Sequence, residues 1–346
     1  VKRMLGDLKI VLDRYPAAVQ PLADLEDLGN AGGQSGAHFW RYRAGVGLLL
    51  VRAWPHDGPP CAVLERVHGW LRDTAELGFV PVPIATRDGR TLTGQGGRWW
   101  ELTPWLGGKP DSERPPSRNR VKAAFSSLAA FHACLSRYAT PGPSTGLVAR
   151  LKEVESLCQG GFAELGRALS TRPEDDRVVA LAGKWLDLAP AFAASVRVRV
   201  EQATSRVVDR QPCLRDARPD HFLFEGERVA GLVDFGAMGE DTVACDLARL
   251  SSEWLGDDRS IRAEGLHAYA STRPLVEAEM ELIPVFEEAS ALLIGGHWIR
   301  WYFLEGRRFE DPIAVLNGVQ KGLDRLAAWA FPGGRILAEN HRQFPD

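Results

Sequence analysis

Cysteine and methionine are scarce, with five Cys and three Met among 346 residues. The cysteines (Cys61, Cys134, Cys158, Cys213 and Cys245) are scattered, odd in number and form no Cys-x-x-Cys pair. That argues against a disulfide scaffold or a thiolate zinc site and favours a reducing, cytoplasmic setting. An excess of charge of one sign is missing too. The 42 Lys and Arg against 45 Asp and Glu leave a net charge of −3, so neither a nucleic-acid nor a membrane partner is expected. No run approaches 18 apolar residues, and the first residues carry no apolar signal core. Internal repeats and low-complexity tracts are also absent. What remains, 45% hydrophobic and 25% charged, is the composition of an ordinary globular chain long enough for one large core or two lobes.

The richest stretch runs from Cys213 to Gly236. Phe222-Leu223-Phe224 reads as a short strand, Glu225-Gly226-Glu227-Arg228 as a turn, and Val229 to Val233 as a second strand. Asp216 stands before the first strand and Asp234 after the second. A hairpin brings its ends together, so the two acids are expected side by side with His221 between them. Two carboxylates and an imidazole suit a divalent cation and a hydroxyl awaiting deprotonation.

These residues carry a resemblance. Leu214-Arg215-Asp216-Ala217-Arg218-Pro219-Asp220-His221, followed by Asp234-Phe235-Gly236, resembles the catalytic loop and metal motif of the protein-kinase-like fold. Asp246-Leu247-Ala248 is similar to the sequel found in the aminoglycoside phosphotransferase and choline kinase branch. The resemblance implies Asp216 as catalytic base, Asp234 as principal metal ligand, Arg218 as a phosphate contact, and Asp246 as a buried acid fixing the loop. Two positions depart from the pattern: Leu214 stands for the usual His, and His221 for the Asn that binds the second metal. The resemblance implies ATP with Mg2+ as cofactors; imidazole is a softer ligand than an amide oxygen, so Mn2+ becomes a candidate.

Upstream, Leu28 to Gly36 is a glycine-dense turn whose Gly32 and Gly33 have no Cβ to keep phosphates from the backbone. Strands are predicted over His38 to Arg43 and Leu48 to Arg52, and a helix over Cys61 to Leu77. In the resembling family the second of these strands carries a cation for the nucleotide phosphates and the helix supplies its pairing acid. Arg52 and Glu65 are the matching residues. Phe79 to Ile84 resembles the Val-Pro-Val-Pro segment of these kinases, and Arg98 to Thr103 reads as a strand entering the hinge. Glu101 and Thr103 are the nominees for pairing the adenine edge through main-chain atoms. The Pro- and charge-rich residues 109 to 119 are expected to form an exposed linker.

The remainder reads as helices: Arg120 to Ser136, two over 146 to 205, then Asp246 to Trp254, Ser260 to Ser271, Glu277 to Tyr302 and Ile313 to Trp329. His132 fits a packed, hydrogen-bonded role. Trp298, Trp301, Tyr302, Glu305 and Arg307 fit either a substrate pocket or aromatic core. The expected fold is α+β and two-lobed: a β-rich N-terminal lobe over 1–102, a hinge and linker over 103–119, and a larger, mostly helical lobe over 120–346. The expected activity is transfer of the ATP γ-phosphate to a small-molecule hydroxyl. A pseudokinase that binds nucleotide without transfer is the alternative, motivated by His221. A protein kinase is disfavoured because no Ala-Pro-Glu closes an activation segment after Asp234.

Overall fold

The computed structural model describes residues 2–30, 36–111, 116–173, 176–256, 258–309, 311 and 313–330. They form two compact units, one comprising Val1–Ala139, Gln211–Glu240 and Leu250–Leu275, the other Thr140–Arg210, Asp241–Arg249 and Val276–Asp346.

The first unit begins with helix α1 (Lys2–Leu12) and a five-stranded antiparallel sheet. Its strands are β1 (Glu26–Gly29), β2 (His38–Ala44), β3 (Gly47–Ala53), β4 (Thr93–Gln95) and β5 (Arg98–Pro104), in the order β1-β2-β3-β5-β4. Strand alternation divides the labour between the two faces. Leu49 and Val51 on β3, with Trp100 and Leu102 on β5, enter a core with Leu8, Val11 and Leu12 of α1. Trp40 stacks on Trp100 there with ring centroids 5.5 Å apart. Their neighbours Leu50, Arg52, Glu101 and Thr103 consequently face the other way, into a cavity. Helix α2 (Cys61–Asp73) follows β3 and buries Leu64, Val67, His68, Trp70 and Leu71.

The hairpin appears as read: β9 (Phe222–Glu225) pairs antiparallel with β10 (Arg228–Leu232), with a bulge between Val229 and Gly231. Gly226, at φ 62°, supplies the left-handed residue this tight turn needs. The segment expected to be an exposed linker differs. Lys109–Pro110 forms a short strand, β6, on β9, and Asp111 is buried where its carboxylate accepts from Arg120 at 2.8 Å. Paired charge accommodates Asp111, while Lys109, Pro110, Arg118 and Asn119 are exposed as expected; residues 112–115 lie outside the described residues. Helix α3 (Arg118–Leu135), capped by the Ser117 hydroxyl, packs on α8 (Arg259–Ala270). Gly265 lets the two approach, since a Cβ there would lie 3.0 Å from the Phe125 ring. His132, fully buried on α3, bonds the Tyr269 hydroxyl at 2.8 Å.

The second unit is mostly helical. A strand pair (β7, Thr140–Gly142, against the start of β8, Val208–Cys213) accompanies α4 (Thr145–Ser156), α5 (Phe162–Leu169), α6 (Arg177–Thr204), α9 (Glu277–Phe303) and α10 (Ala314–Ala330). A π-turn over Leu157–Gly161 joins α4 to α5, so the span read as two helices holds three. By length and composition α6 would pass for a membrane span, and it packs against α4, α9 and α10. Helix α7 (Ala244–Trp254) carries the Asp-Leu-Ala sequence.

Candidate active site

Six strands and a helix of the first unit contribute to the lining of a cavity of about 450 Å³. Arg52, Glu101 and Thr103 reach it from the sheet, His68 from α2, and Asp234 and Gly236 from the end of the hairpin. Sequence-distant candidates therefore meet in one place, because β3 and β5 pair in the register Arg52↔Glu101.

One wall of the cavity carries a buried polar network. Arg52 Nη1 lies 3.4 Å from Glu101 Oε1. Glu101 Oε2 accepts from His68 Nε2 at 2.8 Å and from Trp54 Nε1 at 3.1 Å. His68 Nδ1 in turn meets the Thr91 hydroxyl at 2.8 Å. Burial pushes the Glu101 carboxyl upward, but the Arg52 charge and the His68 and Trp54 bonds outweigh it and hold its pKa below the ordinary value. The Arg52 guanidinium packs on two aromatic rings, 4.9 Å from the Phe39 centroid and 4.7 Å from the Trp54 centroid. Its Nε is buried without a hydrogen-bond partner. A planar cation packed against two aromatic rings is suited to a phosphate oxygen.

Two expectations about this region need correction. Glu65 is exposed on α2, where it acts on Cys61, and the carboxylate facing Arg52 is Glu101. The helix explains this: Leu64, Val67, His68 and Leu71 stand at i, i+3, i+4 and i+7 and form its inner stripe, so His68 turns inward and Glu65 does not. That signal was present in the sequence. Nor are the main-chain groups of Glu101 and Thr103 available to a ligand. Trp54 N donates to Trp99 O and Trp105 N to Leu48 O, while the Leu102 carbonyl accepts from Ile84 N on the opposite side. Antiparallel alternation then commits residues 101 and 103 to β3. Pro104 carries the next outward-facing carbonyl, and it lines the cavity. Gly32 and Gly33 lie outside the described residues.

At the hairpin, His221 Nε2 lies 3.7 Å from Asp234 Oδ2. His221 is buried and its Nδ1 lacks a hydrogen-bond partner, whereas Asp234 is exposed. Arg218 engages Asp220 through two bonds, Nε to Oδ1 at 3.0 Å and Nη2 to Oδ2 at 2.6 Å. Burial would weaken the Arg218 proton, but the Asp220 and Asp216 charges outweigh it. Asp216 is half-buried within reach of that field. Among the described residues only Arg215 and Asp234 combine a side chain with positive φ, both at 64°. Strained backbone thus falls immediately before the candidate base and on the candidate metal ligand, as at sites whose geometry is held by the surrounding fold.

The profile of the Phosphotransferase enzyme family matches residues 28–282, a span that holds every one of these side chains. The chain belongs to that family. The homoserine kinase of Agrobacterium fabrum (strain C58) is 26% identical over 232 residues, covering 65% of this chain and 65% of that protein. The chain thus spans just under two thirds of that curated relative. An aminoglycoside phosphotransferase from Alicyclobacillus acidocaldarius superposes with a TM-score of 0.63 at 15% identity, over 93% of both chains. A spectinomycin phosphotransferase solved with ADP and spectinomycin gives 0.64 at 10% identity, over 94% of this chain and 98% of that one. The family member described here therefore has the expected α+β, protein-kinase-like fold, with its β-sheet region N-terminal and its C-terminal part mostly helical.

In the second unit, Trp301 and Glu305 line a separate cavity of about 390 Å³ with Lys152, Glu153, His297 and Arg300. Of the other aromatic-cluster residues, Trp298 packs edge-on to Trp301 and against Phe309, Tyr302 lies edge-on to Phe303, and Arg307 covers the Trp301 ring.

Proposed function

We propose that this family member transfers the γ-phosphate of ATP to a hydroxyl of a small molecule. The observation that carries the reading is the single cavity in which Arg52 and Asp234 converge, with His221 beside Asp234. Arg52 binds the nucleotide phosphates with donors that the protein leaves unspent, and the Pro104 carbonyl takes the adenine amino group. Asp216 orients the acceptor hydroxyl and accepts its proton, in the half-buried field of Arg218. Arg218 itself is held by Asp220 and contributes positive charge beside the base.

The donor set fits a divalent cation: an exposed carboxylate and a buried imidazole whose Nδ1 is unpartnered. Asp234 and His221 would hold it. When bound, such an ion neutralises phosphate charge. An imidazole in place of an amide oxygen favours Mn2+ relative to Mg2+.

The homoserine kinases among the relatives support a hydroxylated amino acid as acceptor. The test is ADP release and phosphate transfer from labelled ATP with L-homoserine, amino alcohols and aminoglycosides as acceptors. Acceptor-dependent transfer supports the proposal. Tight ATP binding with no transfer to any acceptor supports the nucleotide-binding module instead.

A further inference from the structure

The link between helix α2 and Arg52 is not the direct ion pair that the resemblance implies. It runs through one intermediate, Glu101, and the inward-facing group on the helix is a histidine. We propose that His68 is a positioning residue for nucleotide binding: through Glu101 it fixes the Arg52 guanidinium at the place where phosphates are held. The proposal rests on the reading of Arg52 as the phosphate-binding cation.

The geometry assigns each atom a task. Glu101 Oε2 is occupied by two donors, His68 Nε2 and Trp54 Nε1, which leaves Oε1 turned to Arg52. With the Thr91 hydroxyl donating to Nδ1, a neutral His68 carries its proton on Nε2, facing the carboxylate. Trp54 acts twice, bonding Glu101 with its indole N–H and stacking its ring on Arg52. His68 is 3% exposed and Glu101 7%, so neither bond is replaced by water when its partner is removed. Without the His68 donor, Glu101 Oε2 is held by Trp54 alone and the carboxylate facing Arg52 loses the shorter of its two anchors. The fork of Arg52, which needs a fixed plane to make two parallel bonds to phosphate, then loses its reference.

The experiment measures dissociation constants for ATP and for adenosine, by calorimetry on the full chain, for wild type, Arg52→Ala, His68→Leu, His68→Gln and His68→Asn. Adenosine has no phosphate, so it reports the cavity wall and not Arg52. The expected result is that His68→Leu weakens ATP about tenfold, the scale of one hydrogen bond to a charged group, while adenosine stays within about twofold. His68→Gln, whose amide reaches the position of Nε2, recovers most of that loss. His68→Asn reaches only toward Thr91 and does not recover it, which keeps the test valid should the leucine variant fail to fold. In steady state the ATP KM rises and the acceptor KM holds. Equal weakening of ATP and adenosine would show His68 to be mere packing and overturn the proposal. So would unchanged ATP affinity in the His68 variants when Arg52→Ala loses it. Wild-type ATP affinity in Arg52→Ala would overturn the reading of Arg52 itself, and the proposal with it.

Discussion

Replacing Glu101 by Gln isolates the charge at the centre of the site. The substitution keeps the volume and leaves one oxygen to accept from His68 and Trp54. It turns an amide N–H toward the Arg52 guanidinium, where the carboxylate now lies 3.4 Å away. Breaking a buried ion pair on one side costs about 3–5 kcal/mol when the surviving charge is fully enclosed. The Arg52 side chain keeps 18% exposure and two aromatic faces, so the loss should sit lower, at about 2–3 kcal/mol. A chain of two units does not melt as one state, so the readout should be local. Hydrogen exchange at β3 and β5 should accelerate by about 30- to 150-fold at neutral pH. The effect should also depend on pH. Because Glu101 is held below its ordinary pKa, its stabilisation is present above about pH 4.3, the unfolded value, and is lost as pH falls through the folded one. The gap between wild type and variant should therefore close in acid. Equal protection of β3 and β5 in both proteins at neutral pH would refute the reasoning.

Three further outcomes are expected. Asp216→Ala should lower turnover by about 100-fold or more with nucleotide affinity unmoved, as stopped assays and calorimetry on the same preparation would show; equal loss of both would make it a metal ligand instead. His221→Asn should lower the ratio of Mn2+- to Mg2+-supported activity, and an unchanged ratio would assign His221 to packing alone. Gly108→Ala should destabilise by about 2–3 kcal/mol, because φ there is 89° and a Cβ would lie 3.0 Å from the Phe224 backbone; wild-type exchange at β6 and β9 would contradict it.

What the sequence disclosed and what it hid follow from the range of the forces involved. The hairpin from Phe222 to Leu232 and the alternation of Leu49, Leu50, Val51 and Arg52 are local patterns, and both were legible. The resemblance nominated Asp216 and Asp234 without any geometry; of the two, Asp234 lines the cavity. The partner of Arg52 was hidden because the register Arg52↔Glu101 joins strands separated by α2 and its loops. The main chains of Glu101 and Thr103 are committed to β3 by the same register, which the sequence does not display. His68 could have been found, since the apolar stripe of α2 runs through it; an acid three residues earlier drew the eye instead. Asp111 sat in a stretch whose composition reads as linker, and its pairing with Arg120 lies nine residues on, in the next helix. The left-handed backbone at Arg215 and Asp234 has no local signature, because neither residue type calls for it.

The most direct test of the account is calorimetric binding of ATP to the wild type and to Asp234→Asn, each with and without divalent metal. The account predicts that metal strengthens ATP binding to the wild type and that the folded variant loses this gain. ATP affinity indifferent to metal in the wild type, or an undiminished metal effect in the variant, would contradict it.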